Sequence, residues 1–188
     1  MVSKDSREIE IKLSISEPDY ARSLLESLGF RRVDTCLEED YYFNHPCRNF
    51  AESDEALRLR KRICGLSRTY VLTYKGPRER DSSNFKIREE IEVFLDEKEL
   101  SNIFTILEKL GFKLITRFTK RREIYSGRGL NASIDLLSGV GYYLELELGI
   151  HGERGCLESI VQELNKKLGA VPVEKTYLEI CIETGKCI

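Results

Sequence analysis

Residues 8–15 alternate strictly between two kinds of side chain. Successive side chains of a β-strand point to opposite faces, so this period predicts a strand with one apolar and one charged face. The two faces need different surroundings, and that requirement limits the possible folds more than any other feature of the chain. The apolar face holds Ile9, Ile11, Leu13 and Ile15, and the other face holds Glu8, Glu10, Lys12 and Ser14.

The same arrangement returns 82 positions further along the chain. Each copy shows a strand pattern, a helical pattern ending in Leu-Gly-Phe, and then further strand patterns. Glu8 and Glu90, Glu10 and Glu92, and Gly29 and Gly111 are the three pairs of anchors at this offset. Two copies are too few for a solenoid, so we expect two related halves of one pseudo-symmetric domain.

The element pattern predicts a single α+β domain over residues 1–188. Eight strands with hairpin-like spacing indicate an antiparallel sheet, and closure into a barrel would remove its exposed edges. Loops near 44–55 and 77–84 would cross the barrel mouth, and the tail from Val173 fits either a helix or a strand. We place strands at 7–15, 33–43, 56–64, 68–75, 86–95, 113–126, 130–137 and 142–150, with helices from Pro18 to about Gly29, at 97–110 and at 154–168.

Charged side chains of one sign occur in same-face sets on several of these strands. An ordinary amphipathic sheet with its polar face in water is the simpler interpretation of any one strand. Solvated faces usually mix charges with Thr, Ser and Gln, whereas these sets are nearly pure in sign. If the helices cover the outside, the charged faces line the lumen of the barrel. The acidic sets are Glu8/Glu10 and Glu145/Glu147, and the basic sets include Arg58/Arg60 and Lys120/Arg122.

The composition excludes several other kinds of partner. Net charge is only −2, from 30 basic and 32 acidic residues, which argues against a nucleic-acid binder. No apolar run approaches the roughly 18 residues of a membrane span, and residues 1–8 lack a signal-peptide core. We therefore expect a cytoplasmic protein with no membrane partner. Its six scattered cysteines predict free thiols, with Cys181 and Cys187 as the best candidates for an exception.

The chemistry of the charged sets points to a phosphate ligand. Carboxylates at positions i and i+2 bring hard oxygens together, which suits Mg²⁺ or Mn²⁺ rather than Zn²⁺. Arginine and lysine supply the donors that phosphate oxygens accept. A metal together with many cations implies a small molecule with adjacent negative charges, and a polyphosphate is the simplest one.

The Glu8-x-Glu10-x-Lys12 pattern resembles the signature of the CYTH superfamily, also called triphosphate tunnel metalloenzymes. The resemblance covers about residues 7–180 and is closest to the class IV adenylyl cyclase-like branch. It implies an eight-stranded antiparallel tunnel with helices packed outside. The matching stretches are Ala-Leu-Arg-Leu-Arg (56–60), Leu-Thr-Tyr-Lys-Gly-Pro (72–77), Arg-Glu-Glu-Ile-Glu (88–92), Lys-Arg-Arg (120–122), Asp135, Gly-Tyr-Tyr-Leu-Glu-Leu-Glu (141–147) and Thr-Tyr-Leu (176–178).

The resemblance also implies a role for each matching residue. The expected ligands of one or two Mg²⁺ or Mn²⁺ ions are Glu8, Glu10, Asp135, Glu145 and Glu147, with help from Glu90. The expected triphosphate-binding residues are Lys12, Arg58, Arg60, Lys75, Arg88, Lys120 and Arg122, and Lys12 and Glu90 are the expected catalytic residues. Glu92 is assigned to the tunnel mouth or to a structural role, and Arg62 and Arg121 are left out of the site.

Three functions follow from this interpretation. The first is a class IV-type adenylyl cyclase that converts ATP to cyclic AMP and pyrophosphate. The second is a triphosphatase that hydrolyses inorganic triphosphate, thiamine triphosphate or a nucleoside triphosphate. Class IV cyclases often carry a His-Phe pair ahead of the first Glu, and Ser6-Arg7 stand there instead. The third is a non-catalytic sensor, which would not need both Glu-x-Glu pairs. Exposed strands or the tail would provide the contact surface of a homodimer.

Overall fold

The computed structural model describes residues 7–80 and 85–187, and residues 81–84 of the second predicted loop lie outside that range. None of the helices in these two ranges is long and apolar enough to cross a membrane. The elements are β1 (Arg7–Ile15), α1 (Pro18–Ser27), β2 (Arg31–Asn44), β3 (Ala56–Cys64), β4 (Ser67–Lys75), β5 (Glu79–Arg80), β6 (Lys86–Leu95), α2 (Glu97–Lys109), β7 (Lys113–Gly127), β8 (Leu130–Leu137), β9 (Gly141–Leu148), α3 (Arg154–Leu168), β10 (Val171–Pro172) and α4 (Tyr177–Thr184).

Eight strands of the described chain form a closed antiparallel barrel. Their order around the ring is β1-β9-β8-β7-β2-β3-β4-β6, and β6 pairs with β1 to close it. The two-residue strands β5 and β10 add short pairings to β6 and β1. Closure leaves no long unpaired edge, and the predicted eight-stranded barrel is confirmed.

The order of the strands has the two-fold pseudo-symmetry that the internal repeat predicts. The series β2-β3-β4 corresponds to β7-β8-β9, while β1 pairs with β6 and β2 pairs with β7 across the two seams. Gly29 after α1 and Gly111 after α2 have φ of 89° and 86°, a conformation that favours glycine. The next residue donates back to the helix in both copies, from Phe30 N to Leu25 O and from Phe112 N to Leu107 O.

The apolar faces of the strands point outward and are covered by helices. Leu13 on β1 packs in one buried cluster with Leu25 of α1 and Ile160 of α3, and all three are fully buried. A second outer cluster joins Leu59 of β3 to Leu107 of α2. Each such side chain contributes about 1.5–3 kcal/mol through burial. Because apolar side chains take the outer face, the alternate charged ones face the lumen.

The tail forms a helix, α4, which resolves the ambiguity of the sequence pattern. Thr176 and Glu179 make a capping box in which Thr176 Oγ1 accepts from Glu179 N and Glu179 Oε2 accepts from Thr176 N. Arg78 holds the start of α4 by donating to Glu179 and Asp54. These contacts place Tyr177, the first residue of α4, against the interior of the barrel.

The prediction of free thiols is wrong for two of the cysteines. Cys36 on β2 and Cys64 on β3 form a disulfide, because the strand register places them directly opposite each other. The expected exception is confirmed, since Cys181 is bonded to Cys187. Cys47 and Cys156 are free thiols. Because Cys36 and Cys64 are 28 positions apart, their pairing is not evident from the sequence.

Candidate functional site

The barrel encloses a cavity of about 910 Å³ whose wall is mainly charged. Of the residues predicted for the site, Asp135 alone is absent from this wall. Among the described residues, the basic side chains of the wall are Arg7, Lys12, Arg58, Arg60, Arg62, Lys75, Arg88, Lys120 and Arg122, and the acidic ones are Glu8, Glu10, Glu90, Glu92, Glu145 and Glu147. The nine cations exceed the six carboxylates, so the cavity suits an anion.

Strand register brings three carboxylates together on the wall formed by β1 and β9. Glu10 lies directly opposite Glu147, and Glu8 follows on the same face of β1. Like charges in directly opposed positions are destabilising. We call Glu8, Glu10 and Glu147 the acidic cluster.

The electrostatics of the acidic cluster differ from those of an ordinary carboxylate. Burial raises the pKa of Glu8 to about 7 against the opposing effect of Lys75. Burial, together with Glu8 and Glu10, raises the pKa of Glu147 to about 7. The pKa of Glu10 is raised by burial and by Glu8. The cluster therefore lacks enough nearby positive charge to compensate three ionised groups.

The acidic cluster has the ligand chemistry of a divalent-cation site. Its donors are carboxylate oxygens, the ligands that Mg²⁺ and Mn²⁺ prefer. Glu8 Oε2 is buried and makes no hydrogen bond, although Lys75 Nζ lies 3.5 Å away. Within the described ranges, no three carboxylates of the cavity have oxygens that all lie within 4.8 Å of one another. Binding one cation in common would thus require rotation of these side chains.

The other two predicted acidic residues on the wall are paired with cations. Burial favours the neutral form of Glu145, but Arg122 and Lys12 hold its pKa well below the usual range. Lys12 Nζ lies 3.4 Å from Glu145 Oε1. Burial also opposes ionisation of Glu90, yet its contact with Glu8 and its ion pair with Lys75 lower its pKa. Both groups are ionised carboxylates at neutral pH.

A buried ion-pair network occupies the wall formed by β2, β3, β7 and β8. Arg60 donates two hydrogen bonds to Asp40, at 2.6 and 2.7 Å, and lies 3.1 Å from Glu38. Lys120 lies 3.2 Å from Glu38. We call this set the paired network, and its members are Glu38, Asp40, Arg60, Lys120, Arg122 and Asp135. Its carboxylates compensate the cations that the sequence assigns to phosphate binding.

Asp135 lies within the paired network and is fully buried. It accepts hydrogen bonds from Arg122 Nε and Tyr177 Oη, both at 2.8 Å. Lys120 Nζ lies 3.5 Å from it. The structure thus separates Asp135 from the acidic cluster, and its contacts are those of a residue that orients Arg122 and Tyr177. Its predicted role as a metal ligand stays a prediction.

Tyr177 lines the cavity and contacts two of the three lysines of the site. Lys12 Nζ lies 3.7 Å from the centre of its ring, and Lys120 Nζ lies 4.6 Å from it. Cations are attracted to the face of an aromatic ring. Lys12 also donates to the backbone oxygen of Lys175 at 3.2 Å. The Tyr177 ring and the Lys175 carbonyl therefore hold Lys12 in place, and the ring also attracts Lys120.

Arg58 differs from the other arginines of the cavity wall. It is buried, and its Nη2 donates to Thr73 Oγ1 at 3.1 Å. Its Nε is buried without a hydrogen-bond partner. The nearest carboxylate is Glu92, 3.7 Å from Nη2. A buried donor without a partner costs about 1–3 kcal/mol. A phosphate oxygen that accepts a hydrogen bond from Arg58 Nε would remove this cost.

Sequence reasoning missed four charged residues of this interior. Arg62 lines the cavity although the sequence interpretation leaves it out, and its Nε donates to Glu38. Glu38 and Asp40 alternate on β2, so the i, i+2 rule applied to the other strands could have found them. Lys86 donates to Lys175 O at 3.4 Å, and burial and Lys12 lower its pKa to about 8.

The residues of uncertain or excluded role have clear positions. Glu92 lines the cavity and accepts from Thr73 Oγ1 at 3.1 Å. Arg121 points out of the barrel, and its side chain is 60% exposed. The same strand thus presents Arg122 to the interior and Arg121 to solvent. Tyr41, Tyr42, Tyr142 and Tyr143 all pack in apolar clusters, and Tyr42 also lines the cavity.

Comparison with known proteins agrees with this geometry. The CYTH domain model matches residues 6–177. A Methanocaldococcus jannaschii protein named "putative adenylate cyclase" is 37% identical over 179 residues, which cover 92% of this chain and 97% of that protein.

Solved structures share the fold over nearly the whole chain. The Pyrococcus horikoshii protein PH1819 has a TM-score of 0.79 and 30% identity, covering 94% of this chain and 99% of that one. A "putative adenylyl cyclase" from Hippeastrum, described as having a dominant triphosphatase activity, has a TM-score of 0.72 and 22% identity, with 96% and 97% covered.

Proposed function

This chain belongs to the CYTH family, and on that premise we propose that it is a divalent-metal-dependent adenylyl cyclase that forms cyclic AMP and pyrophosphate from ATP. The family acts on triphosphates and depends on divalent metal ions. The observation that carries the proposal is the division of one cavity between an excess of cations and a cluster of uncompensated carboxylates.

The basic side chains would bind the triphosphate. Arg58 offers its unsatisfied Nε to a phosphate oxygen. Arg122 and Lys120 are held by Asp135 and Glu38, so their positions are set before the ligand arrives. Such preorganised charges stabilise a phosphoryl transition state without reorganising during the reaction.

The acidic cluster would hold the metal, with Glu145 beside it. When bound, Mg²⁺ or Mn²⁺ neutralises phosphate charge and orients the reacting oxygen atoms. Ionised Glu8, Glu10 and Glu147 compensate that positive charge. The raised pKa values of Glu8 and Glu147 predict that metal binding releases protons at pH 7 and below.

In the cyclase reaction, the ribose 3′-hydroxyl attacks the α-phosphorus. The bond to the bridging oxygen of the β-phosphate breaks, and pyrophosphate leaves with that electron pair. Lys12, fixed by Lys175 O, Glu145 and Tyr177, would stabilise the charge that develops on phosphate. Glu90 is an ionised carboxylate on the cavity wall and could accept the hydroxyl proton, and Lys75 orients it.

A second candidate function is hydrolysis of the terminal phosphate of a triphosphate. The observation in its favour is that, among the described residues, the mainly charged cavity wall includes only two aromatic side chains, Tyr42 and Tyr177. The ring of Tyr42 stacks on Phe118, and Lys12 and Lys120 lie at the ring of Tyr177, so neither ring is free to stack on adenine. The activity described for the Hippeastrum protein shows that this fold accommodates triphosphatase chemistry.

Product analysis separates the two reactions. The purified chain is incubated with Mg²⁺ or Mn²⁺ and either ATP or inorganic triphosphate, and the products are resolved by chromatography. Cyclic AMP with an equal amount of pyrophosphate supports the cyclase. Orthophosphate without cyclic AMP replaces it with the triphosphatase. Metal-dependent binding without turnover contradicts both enzymes and leaves a sensor.

Two arginines of the chain provide a matched control. Arg58→Ala removes a donor inside the cavity, whereas Arg121→Ala removes one on the outer surface. We expect Arg58→Ala to abolish turnover without unfolding the protein and Arg121→Ala to retain full activity. Equal activity in the two variants would contradict the assignment of the cavity as the active site.

A further inference from the structure

A second group of metal-ligating side chains lies on β2 and β3, apart from the acidic cluster on β1 and β9. It consists of Asp34, Cys36 and Cys64, whose ligand atoms all lie within 4.8 Å of one another. We propose that these three residues form a zinc site when the Cys36–Cys64 disulfide is reduced. The proposal does not depend on the reaction in the cavity.

Strand pairing places the three ligands together. Cys36 and Cys64 face each other across β2 and β3, with Cα atoms 4.3 Å apart. Asp34 precedes Cys36 by two residues, next to a register shift of β2 against β7. Its Oδ1 accepts a hydrogen bond from Thr35 N at 2.7 Å, which fixes the carboxylate near the sulfurs.

The chemistry of this group favours zinc over the metals expected in the cavity. Zinc is bound by thiolate sulfur and by carboxylate oxygen, and Mg²⁺ is not a metal for sulfur ligands. Two thiolates on a tetrahedral zinc stand ~3.8 Å apart, since each Zn–S bond is ~2.3 Å. Rotation of both cysteine side chains allows that separation once the sulfur–sulfur bond is absent. Water completes the coordination.

The oxidised protein is converted to the zinc-bound protein in two steps, thiol–disulfide exchange and then metal binding. Two molecules of a small thiol reduce the Cys36–Cys64 bond and become one disulfide, and the two cysteines gain one proton each. Zinc then binds their thiolates, and both protons are released. The oxidised pair has no thiolate to offer. Zinc would therefore bind only when the Cys36–Cys64 pair is reduced. The pair lies at the end of β3, where Cys64 is two residues beyond Arg62 of the cavity wall.

The experiment uses the full chain with the free thiols Cys47 and Cys156 replaced by serine. Co²⁺ serves as a spectroscopic substitute for zinc, because sulfur ligands produce a charge-transfer band that carboxylate ligands do not. Excess Mg²⁺ is included as a competitor for carboxylate ligands elsewhere in the chain. After reduction we expect a charge-transfer band that saturates at one Co²⁺ per chain and that Zn²⁺ abolishes, and no band before reduction.

The second disulfide supplies a matched control. Cys181 and Cys187 also become thiols on reduction, but no acidic residue of the described chain joins them as a third ligand. The double substitution Cys181→Ser/Cys187→Ser should leave the band and the Zn²⁺ affinity unchanged. Cys64→Ser should remove the band, and Asp34→Asn, at an exposed position, should weaken Zn²⁺ binding at least about tenfold.

The possible outcomes separate this site from its alternatives. Absence of the band in the reduced protein would overturn the proposal. So would a band that survives Cys64→Ser or that disappears with Cys181→Ser/Cys187→Ser. An affinity unchanged by Asp34→Asn would remove Asp34 from the site and overturn the three-ligand assignment. Circular dichroism of each variant shows whether it is folded.

Discussion

The acidic cluster and the paired network both contain carboxylates buried in the same barrel. Neighbouring groups shift the pKa values of these carboxylates in opposite directions. Arg60, Lys120 and Arg122 keep the pKa of Glu38 well below normal in spite of burial. In the acidic cluster, by contrast, burial and like charges raise the pKa of Glu8 and Glu147 to about 7. The carboxylates of the first region are compensated by neighbouring cations, whereas those of the second lack such compensation.

The difference shows how one barrel can combine a rigid region with a binding region. Removing one partner from a buried ion pair costs several kcal/mol, because the remaining charge has lost its compensation. The acidic cluster already has uncompensated buried charge, which destabilises the fold. The burial of the outer apolar clusters offsets this destabilisation. On the proposed function, a bound cation would relieve this destabilisation, and part of the folding free energy would then be available for recognition.

The largest effect on stability should come from the paired network. Asp40→Ala leaves Arg60 without its bidentate partner, and we expect the free energy of unfolding to fall by about 3–5 kcal/mol. Glu147→Gln, in the acidic cluster, should not lower the stability of the metal-free protein, because it removes an uncompensated carboxylate. Urea unfolding of both variants tests the contrast, and equal losses would refute it.

The largest effect on activity should come from the acidic cluster. Glu8→Gln keeps the shape of the side chain and removes the charge, so we expect kcat/KM to fall by about 100-fold or more while the protein stays folded. In a titration of activity against Mg²⁺ or Mn²⁺, the metal concentration that gives half-maximal activity should rise, because the site binds the ion less tightly. Glu8→Gln with unchanged activity would exclude the acidic cluster as the metal site.

A smaller effect is expected where α4 meets the paired network. Tyr177→Phe removes the hydrogen bond to Asp135 but keeps the ring between Lys12 and Lys120. A hydrogen bond to a charged group contributes about 1.5–3 kcal/mol, so unfolding should become easier by that amount or less. Thermal unfolding measures the change, and no loss of stability would show that this bond does not anchor α4.

The smallest expected effect is a pH dependence of the metal-free protein. Glu8 and Glu147 have higher pKa values in the folded state than in the unfolded one, so folding is favoured when they are protonated. Stability should fall as pH rises from about 4.5 to about 7, and the melting temperature should drop by a few degrees. Mg²⁺ should restore it at pH 8 more than at pH 5.

The paired network should respond to pH in the opposite sense. The pKa values of Glu38 and Asp40 are lowered, so their contribution is complete above the ordinary range of a carboxylate and is lost as acid protonates them. The double variant Glu8→Gln/Glu147→Gln should therefore lose the decline toward neutral pH and keep the acid-induced one. Persistence of the first decline would assign it to other groups.

The sequence alone was enough for the eight barrel strands, for three of the four helices of the described chain and for the direction of their side chains. Strand alternation is a local property, so residues 8–15 show which side chains share a face before any partner is known. The repeat at Gly29 and Gly111 likewise predicted two equivalent helix ends. Both glycines have a positive φ, the conformation that favours glycine after a helix. Twelve of the thirteen predicted site residues line one cavity for the same reason.

Only the tertiary structure decided which charges are compensated. Ring closure sets the register between strands, and that register places Asp40 beside Arg60 and Cys36 opposite Cys64. The packing of α4 against the barrel brings Tyr177 to Asp135. These partners are 20, 28 and 42 residues apart. Alternation within one strand carries no information about alignment with the next, because each register leaves the local pattern of faces unchanged.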